Sequence, residues 1–324
     1  MKINAHILDS ADQEFTGALE AALDSRVRLT TGEKMNDPDR CHILVSGRPP
    51  GKYLKAGSNL HTLIIPWSGL PIATRELMSA YPHISVHNLH HNAAPVAETA
   101  VSLMLAAARE IVPVDRLFRD HDWRPRYRPG RQIYLGNKTA LILGYGAVGR
   151  KIERICRGLG MSVTAIKKRI DSNEGTDTPI FGRERLPELL RGAAVLFVCL
   201  PLTVETEGMI GPEELKLLPD EGIIVNIARG AIIEEQALYD ELNSGRLRAG
   251  LDVWYNYPDS EDARSDTAPA ACPFEQLDNV VMTPHMAGHS DITERLRAEH
   301  LAELLNAAAG RRPIPNKVDL QGGY

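Results

Sequence analysis

Short apolar runs at residues 3–8, 43–45 and 63–65 alternate with segments of helical character, the pattern of a parallel sheet with helices between its strands. They predict a small α/β domain at the start of the chain. From residue 94 a helix that is apolar on nearly every side runs to residue 110, with Pro95 in its first turn, where a missing N–H is tolerated. Helices of this kind are buried, often between domains, so the chain is expected to cross into a second domain there. Further strands are expected at 139–143, 161–166, 195–200, 222–227, 248–251 and 280–283, separated by helical segments such as 150–159, 212–218 and 234–244. That alternation describes a second doubly wound sheet. An amphipathic helix over 291–309 and a tail containing Pro and Gly are expected to return to the first domain. The fold class is therefore α/β with two doubly wound parallel-sheet domains, one from 1–99 with 291–324 and the other from 100–290.

Composition narrows the function more than the fold. At 324 residues and 43% hydrophobic content, the chain can bury a large core. Its net charge of −5 argues against a general nucleic-acid or membrane-surface binder, because neither partner is attracted to an acidic surface. Small molecules or further copies of the chain are the expected partners. Cys41, Cys156, Cys199 and Cys272 lie far apart without a C-x-x-C pair, and neither a secretory signal nor a membrane-length apolar run opens the chain. A reducing cytoplasm is the expected compartment, without a structural metal. The run from His87 to Asn92 contains His90 and His91, but adjacent histidines point in different directions and no matching ligand cluster is evident. The stretch 116–131 is rich in arginine and aromatic residues, and Pro125 and Pro129 break any long helix in it. It reads as an arm packed on a partner subunit or domain, with a separate anion site as the alternative.

The strand expected at 139–143 leads directly into Gly144-Tyr145-Gly146-Ala147-Val148-Gly149. A bare G-x-G-x-x-G is weak evidence; here a helix and a second strand follow it, as a βαβ unit requires. Gly144 permits the tight turn, Gly146 lets backbone approach a pyrophosphate, and Gly149 lets the helix pack on the strand. The helix N-terminus, with Ala147 and Val148, then offers its N–H groups to the phosphates. A dinucleotide site of Rossmann type is expected. An Asp or Glu at the end of the second strand would bind the ribose hydroxyls of NAD and repel the 2′-phosphate of NADP; Lys167 occupies that place, followed by Lys168 and Arg169. NADP(H) is the expected cofactor and NAD(H) the alternative, should some of these side chains point into solvent.

Ligands of doubly wound folds sit at the carboxyl ends of strands. Those ends read Cys199-Leu200-Pro201-Leu202-Thr203, Asn226-Ile227-Ala228-Arg229-Gly230, Leu251-Asp252-Val253-Trp254 and Thr283-Pro284-His285. With Val96-Ala97-Glu98 and the glycines, these motifs resemble the D-isomer-specific 2-hydroxyacid dehydrogenase family, which includes glycerate, phosphoglycerate and formate dehydrogenases. The resemblance covers residues 92–288, in the family's order and approximate spacing; the residues before it match only in pattern. It implies a Rossmann cofactor domain and a flavodoxin-like substrate domain. It also implies that Leu200, Pro201, Thr206, Ala228, Asp252 and Gly288 join the cofactor site, with Asp252 near the nicotinamide carboxamide. Homodimerisation is implied as well, through the segment 112–132.

Hydride transfer to a 2-keto acid needs a cation for the carboxylate and carbonyl, a proton donor for the developing alkoxide and a nicotinamide held over the carbonyl carbon. Arg229 is similar to the family's substrate-binding arginine, and its planar fork suits a carboxylate beside a carbonyl. His285 matches the family's acid/base, since imidazole exchanges a proton near neutral pH. Where the family places a glutamate or glutamine that orients this histidine, the chain has Tyr257. A neutral phenol supports imidazolium less than a carboxylate does, so His285 is expected to have a lower working pKa than its relatives. Tyr257, and with it Tyr255, would supply hydrogen bonds to the histidine or substrate; Asp259 and Asp252 are alternative orienting groups. Backbone N–H groups at Trp67, Ser68, Gly69 and Leu70, directly after the strand at 63–65, would hold the substrate carboxylate, unless this bulky loop is only a core turn. His90, His91 or Asn92 would line the cleft where the family places substrate contacts. The leading expectation is a reductase of small 2-keto acids such as glyoxylate, hydroxypyruvate or a bulkier apolar analogue. A dinucleotide-sensing module with weak catalysis and a formate dehydrogenase-like enzyme are the alternatives.

Overall fold

Every strand expected before residue 90 forms, and two strands without an apolar run join them. In the computed structural model, which describes residues 2–8, 13–128, 132–170 and 175–320, strands β1 (Ile3–Ile7), β2 (Val27–Thr31), β3 (Ile43–Val45), β4 (Thr62–Ile65) and β5 (Ser85–Asn88) form a parallel sheet ordered β2-β1-β3-β4-β5. This is the flavodoxin-like order. Strands β3 and β4 are buried at every position because both faces of the sheet are covered. Helix α1 (Gln13–Ala22) packs on one face, and helices α2 (Gly51–Ala56) and α3 (Ile72–Met78) contribute Tyr53, Leu54 and Met78 to the core on the other. Strand β2 is polar because it lies at the sheet edge, with an outer face in solvent. Strand β5 is polar yet buried, since His87 satisfies both ring nitrogens on Pro315 O (2.7 Å) and Ser85 Oγ (3.2 Å).

The second sheet follows helices α4 (Ala93–Arg109) and α5 (Ile111–Arg119). Its strands are β6 (Thr139–Leu143), β7 (Ser162–Ile166), β8 (Ile180–Phe181), β9 (Val195–Val198), β10 (Ile223–Asn226), β11 (Arg248–Leu251) and β12 (Val280–Met282). They are all parallel, in the order β12-β11-β10-β9-β6-β7-β8. The order reverses between β6 and β9, the switch point at which doubly wound sheets bind ligands. Helix α6 (Ala147–Gly158) joins α4 on one face; α7 (Leu186–Arg191), α8 (Pro212–Leu217) and α9 (Glu235–Asn243) cover the other. Helix α6 begins at Ala147, three residues before the amphipathic pattern indicates, because its first turn is small residues capped by Gly146.

The chain divides into Met1–Asn92 with His289–Tyr324, and Ala93–Gly288. These boundaries fall ahead of the 99/100 and 290/291 expected from the sequence. The first moves because α4 is one helix, and its Ala97, Ala100, Val101 and Met104 share a core with Ile142, Val163, Phe197 and Val225. Helix α10 (Thr293–Ala309) packs with α1, and the tail adds an antiparallel segment beside β5 through Val318 N–H to Val86 O (2.8 Å) and Asn88 N–H to Asn316 O (3.2 Å). Between 111 and 127 the chain forms α5 and a short 3₁₀ turn, Arg124–Tyr127, in keeping with Pro125 as a helix breaker; Pro129 and Arg131 lie outside the described residues. No helix among the described residues is long and apolar enough to cross a membrane.

Candidate active site

The fingerprint glycines each do a different job. Gly144 has φ +105°, and a Cβ there would stand 2.7 Å from the Cys199 carbonyl oxygen at the end of β9, so both its dihedral and its space exclude a side chain. A Cβ on Gly149 would lie 2.5 Å from Gly144 O, which fixes helix α6 against the turn. Gly146 differs: a Cβ there would meet nothing within 4 Å. Its lack of a side chain therefore leaves open space beside the helix N-terminus, the shape that lets a phosphate reach backbone N–H groups. Tyr145 between them is buried, with its hydroxyl bonded to Glu153 and to Thr176 Oγ1 (3.1 Å), so it anchors the turn from below.

Along the same edge, Leu200 and Pro201 are half-buried after β9. Thr206 is buried, and its hydroxyl donates to Pro201 O (2.7 Å) while accepting the Thr203 N–H (2.8 Å). Its visible work is to close the loop that carries Leu200 and Pro201. Lys167 is half-buried and its backbone pairs with Phe181 O; Lys168 and Arg169 are exposed. Lys168 Nζ lies 2.6 Å from Glu205 Oε2, and Arg183 donates to the Glu205 carbonyl (3.0 Å). Glu205 and Arg183 carry no signal of this role in the sequence, because spacing does not show that two distant loops meet.

Arg229 and His285 stand at the ends of β10 and β12, on either side of β11. Buried Asn226 shapes the first of these ends: its side chain accepts the Ala228 N–H (3.0 Å) and donates to Arg229 O (3.0 Å), while Ala228 is buried. The Arg229 side chain is exposed, with Nη1 donating to Ala228 O. His285 is also exposed and adopts a left-handed φ of 54°. Its turn is held by Asp252, 1% exposed, whose carboxylate accepts hydrogen bonds from Thr283 Oγ1 (2.7 Å), Met286 N–H (2.9 Å) and Ala287 N–H (3.0 Å). The Trp254 indole adds a hydrogen bond to Thr283 O (2.9 Å), a contact that no motif signals.

Tyr257 stands against His285, with ring centroids 5.5 Å apart at 59°. Its hydroxyl accepts the Trp254 N–H (3.1 Å). Burial raises the phenol's pKa, against the opposing pull of that N–H and of the Arg229 charge, so the group is a neutral hydroxyl at pH 7. Tyr255 does not share this place. Its hydroxyl donates to Ile233 O (2.9 Å) and its ring stacks on Phe274, so the expected hydrogen bond from Tyr255 to histidine or substrate is replaced by a core anchor. Asp259 is exposed two residues beyond Tyr257.

In the other unit, the loop after β4 uses its carbonyls inward: Trp67 O accepts the Leu89 N–H (3.3 Å) and Ser68 O accepts Asn88 Nδ2 (2.7 Å). Among the described residues, the N–H groups of Ser68, Gly69 and Leu70 have no acceptor. Ser68 is exposed and Gly69 and Leu70 are half-buried, so solvent reaches these backbone donors. Asn92 closes the first segment of this unit, half-buried, directly before α4. His90 and His91 precede it and gather with His300 of α10. His90 N–H donates to His300 Nδ1 (3.1 Å), and His91 Nδ1 is buried with no hydrogen-bond partner among the described residues. Burial, then the charges of Arg297, His300 and His90, pushes His91 down to about 4. His90 and His300 are lowered too, chiefly by burial, with Glu303 opposing the shift in His300.

Residues 101–287 match the family model for the NAD binding domain of D-isomer specific 2-hydroxyacid dehydrogenases. The hydroxypyruvate reductase of Thermotoga maritima is 30% identical over 311 residues, 93% of this chain and 97% of that protein. A D-3-phosphoglycerate dehydrogenase of Archaeoglobus fulgidus is 36% identical over 231 residues, and the chain spans 41% of its length. Among solved structures, a D-isomer specific 2-hydroxyacid dehydrogenase of Xanthobacter autotrophicus Py2, in complex with NADPH and MES, aligns over 100% of both chains with a TM-score of 0.79 and 25% identity.

The histidine cluster predicts acid sensitivity. A histidine whose folded pKa is depressed takes up its proton more readily when unfolded, so its contribution is full above pH ~6.5 and is lost as pH falls towards about 4. Stability should therefore decline below pH ~6.5, by at most ~1.4 kcal/mol per pH unit for each proton involved. Urea denaturation of wild type and His91→Gln across this range should show a shallower decline for the variant. Equal slopes would remove His91 from the account.

Proposed function

The chain belongs to the D-isomer specific 2-hydroxyacid dehydrogenase family, and from that premise we propose that it reduces a small 2-keto acid to the D-2-hydroxy acid with NADP(H), accepting NAD(H) as a second cofactor. The observation that carries this reading is the His285 turn, clamped by Asp252 and faced by Tyr257, with Arg229 at the end of a nearby strand. Open space at Gly146 fits a bound dinucleotide, and the basic run from Lys167 to Arg169 favours a 2′-phosphate. A nicotinamide bound there supplies the hydride for the keto carbon.

The residues do the rest. The Arg229 guanidinium pairs with the substrate carboxylate and polarises the carbonyl, since one donor on Ala228 O leaves others of its fork available. His285 gives its proton to the carbonyl oxygen as charge develops and takes it back in oxidation. Within the unit of residues 1–92 and 289–324, we keep Trp67, Ser68, Gly69 and Asn92 as proposed substrate contacts, supported by backbone N–H groups at Ser68, Gly69 and Leu70 that have no acceptor among the described residues. Tyr257 offers the histidine and substrate a neutral phenol in place of a carboxylate. We also read the chain as a homodimer, supported by exposed Ile111, Val112, Phe118, Trp123 and Tyr127 within one segment. Its cysteines are all free thiols, which fits a reducing cytoplasm.

NADPH oxidation with glyoxylate, hydroxypyruvate and bulkier apolar 2-keto acids tests the reading. Turnover is expected with at least one acid, and Arg229→Ala should lower kcat/KM by roughly 10²–10³-fold. Reduction should decline on the alkaline side as His285 loses the proton it supplies to the carbonyl oxygen, and a His285→Ala variant should lose that pH dependence. No turnover with any acceptor, while NADPH still binds, would favour a dinucleotide sensor instead.

A further inference from the structure

Strands β7 and β9 flank β6 in a parallel sheet, so their carboxyl ends lie on either side of the fingerprint turn. Lys168 follows β7 and Glu205 lies in the loop after β9. Their 2.6 Å ion pair therefore crosses over the carboxyl end of β6 from one loop to the other. Arg183 holds the same loop in place through Glu205 O. The hydrogen bond from Lys168, and the charges of Lys168 and Arg183, keep the Glu205 carboxylate below the usual range, so it carries full negative charge at neutral pH.

We propose that Glu205 sets the ratio of NADP(H) to NAD(H) binding by competing with the cofactor's 2′-phosphate for Lys168. The proposal rests on the reading of Lys167, Lys168 and Arg169 as the 2′-phosphate site. A phosphate arriving there must displace the carboxylate from Lys168, a demand that NADH, with a neutral 2′-hydroxyl, does not make. The carboxylate thus acts as a counter-charge that tempers the preference the basic run would otherwise impose. A carboxylate is also the kind of acceptor a ribose hydroxyl needs, which Lys167 does not provide at the end of β7. Both side chains are about half exposed, at 46% and 59%, so the competition is a modest, salt-dependent effect.

Calorimetric titration with NADPH and with NADH, at low salt, reads this without turnover. Glu205→Gln keeps the size and removes the charge. It should tighten NADPH by about two- to fivefold and leave NADH unchanged or weaker. In a Lys168→Gln background the same change should have no effect on NADPH. An unchanged NADPH affinity in Glu205→Gln, or a gain that persists without Lys168, would overturn the proposal. The cofactor reading is judged separately by the wild type: tighter binding of NADH than NADPH would overturn it, while the variant still decides whether Glu205 competes.

Discussion

The geometry of the proposed chemistry depends on one buried carboxylate. Asp252 ends β11 and receives a hydroxyl and two backbone N–H groups from the segment that carries His285. Hydrogen bonds to a charged acceptor contribute about 1.5–3 kcal/mol each. A left-handed φ at a non-glycine residue costs about 1–2 kcal/mol. The bonds outweigh the strain, so His285 is kept in a conformation that an unsupported turn would leave. The same contacts supply the partners a buried charge requires. Asp252 is thus seen positioning the loop, and a role beside the nicotinamide would be additional to that work.

A second constraint runs through the glycines. Gly144 and Gly149 are fixed by contacts within the chain, whereas a Cβ on Gly146 would meet nothing within 4 Å among the described residues. Two of the three glycines thus build the turn, and the third keeps room for a ligand. Around this opening the charges come from loops far apart in sequence: Lys168 from β7, Arg183 from the segment after β8 and Glu205 from the loop after β9. Strand order alone brings them together.

How much of this was legible in the sequence follows from what each residue interacts with. Strands β3, β4, β9 and β10 are buried on both faces and read as apolar runs. Strand β5 was not legible, since its polar residues are satisfied by a tail more than 200 residues later, through His87 and Pro315. Arg229, His285 and Tyr257 could be picked out because motifs put them at strand ends, and the structure brings Tyr257 to His285. Whether Tyr257 or Tyr255 faces the histidine could not be read, because a shift of two residues in an irregular loop changes which ring meets Ile233 and Phe274. Ion pairs such as that of Lys168 with Glu205 are likewise invisible to spacing, being set by topology.

The central claim is hydride transfer to a 2-keto acid, and an isotope tests it most directly. With NADPH carrying deuterium at both C4 positions and a turned-over 2-keto acid, the product should be the D-2-hydroxy acid with a single deuterium at C2, detectable by mass spectrometry and chiral chromatography. A product without deuterium, or the L enantiomer, would contradict the account.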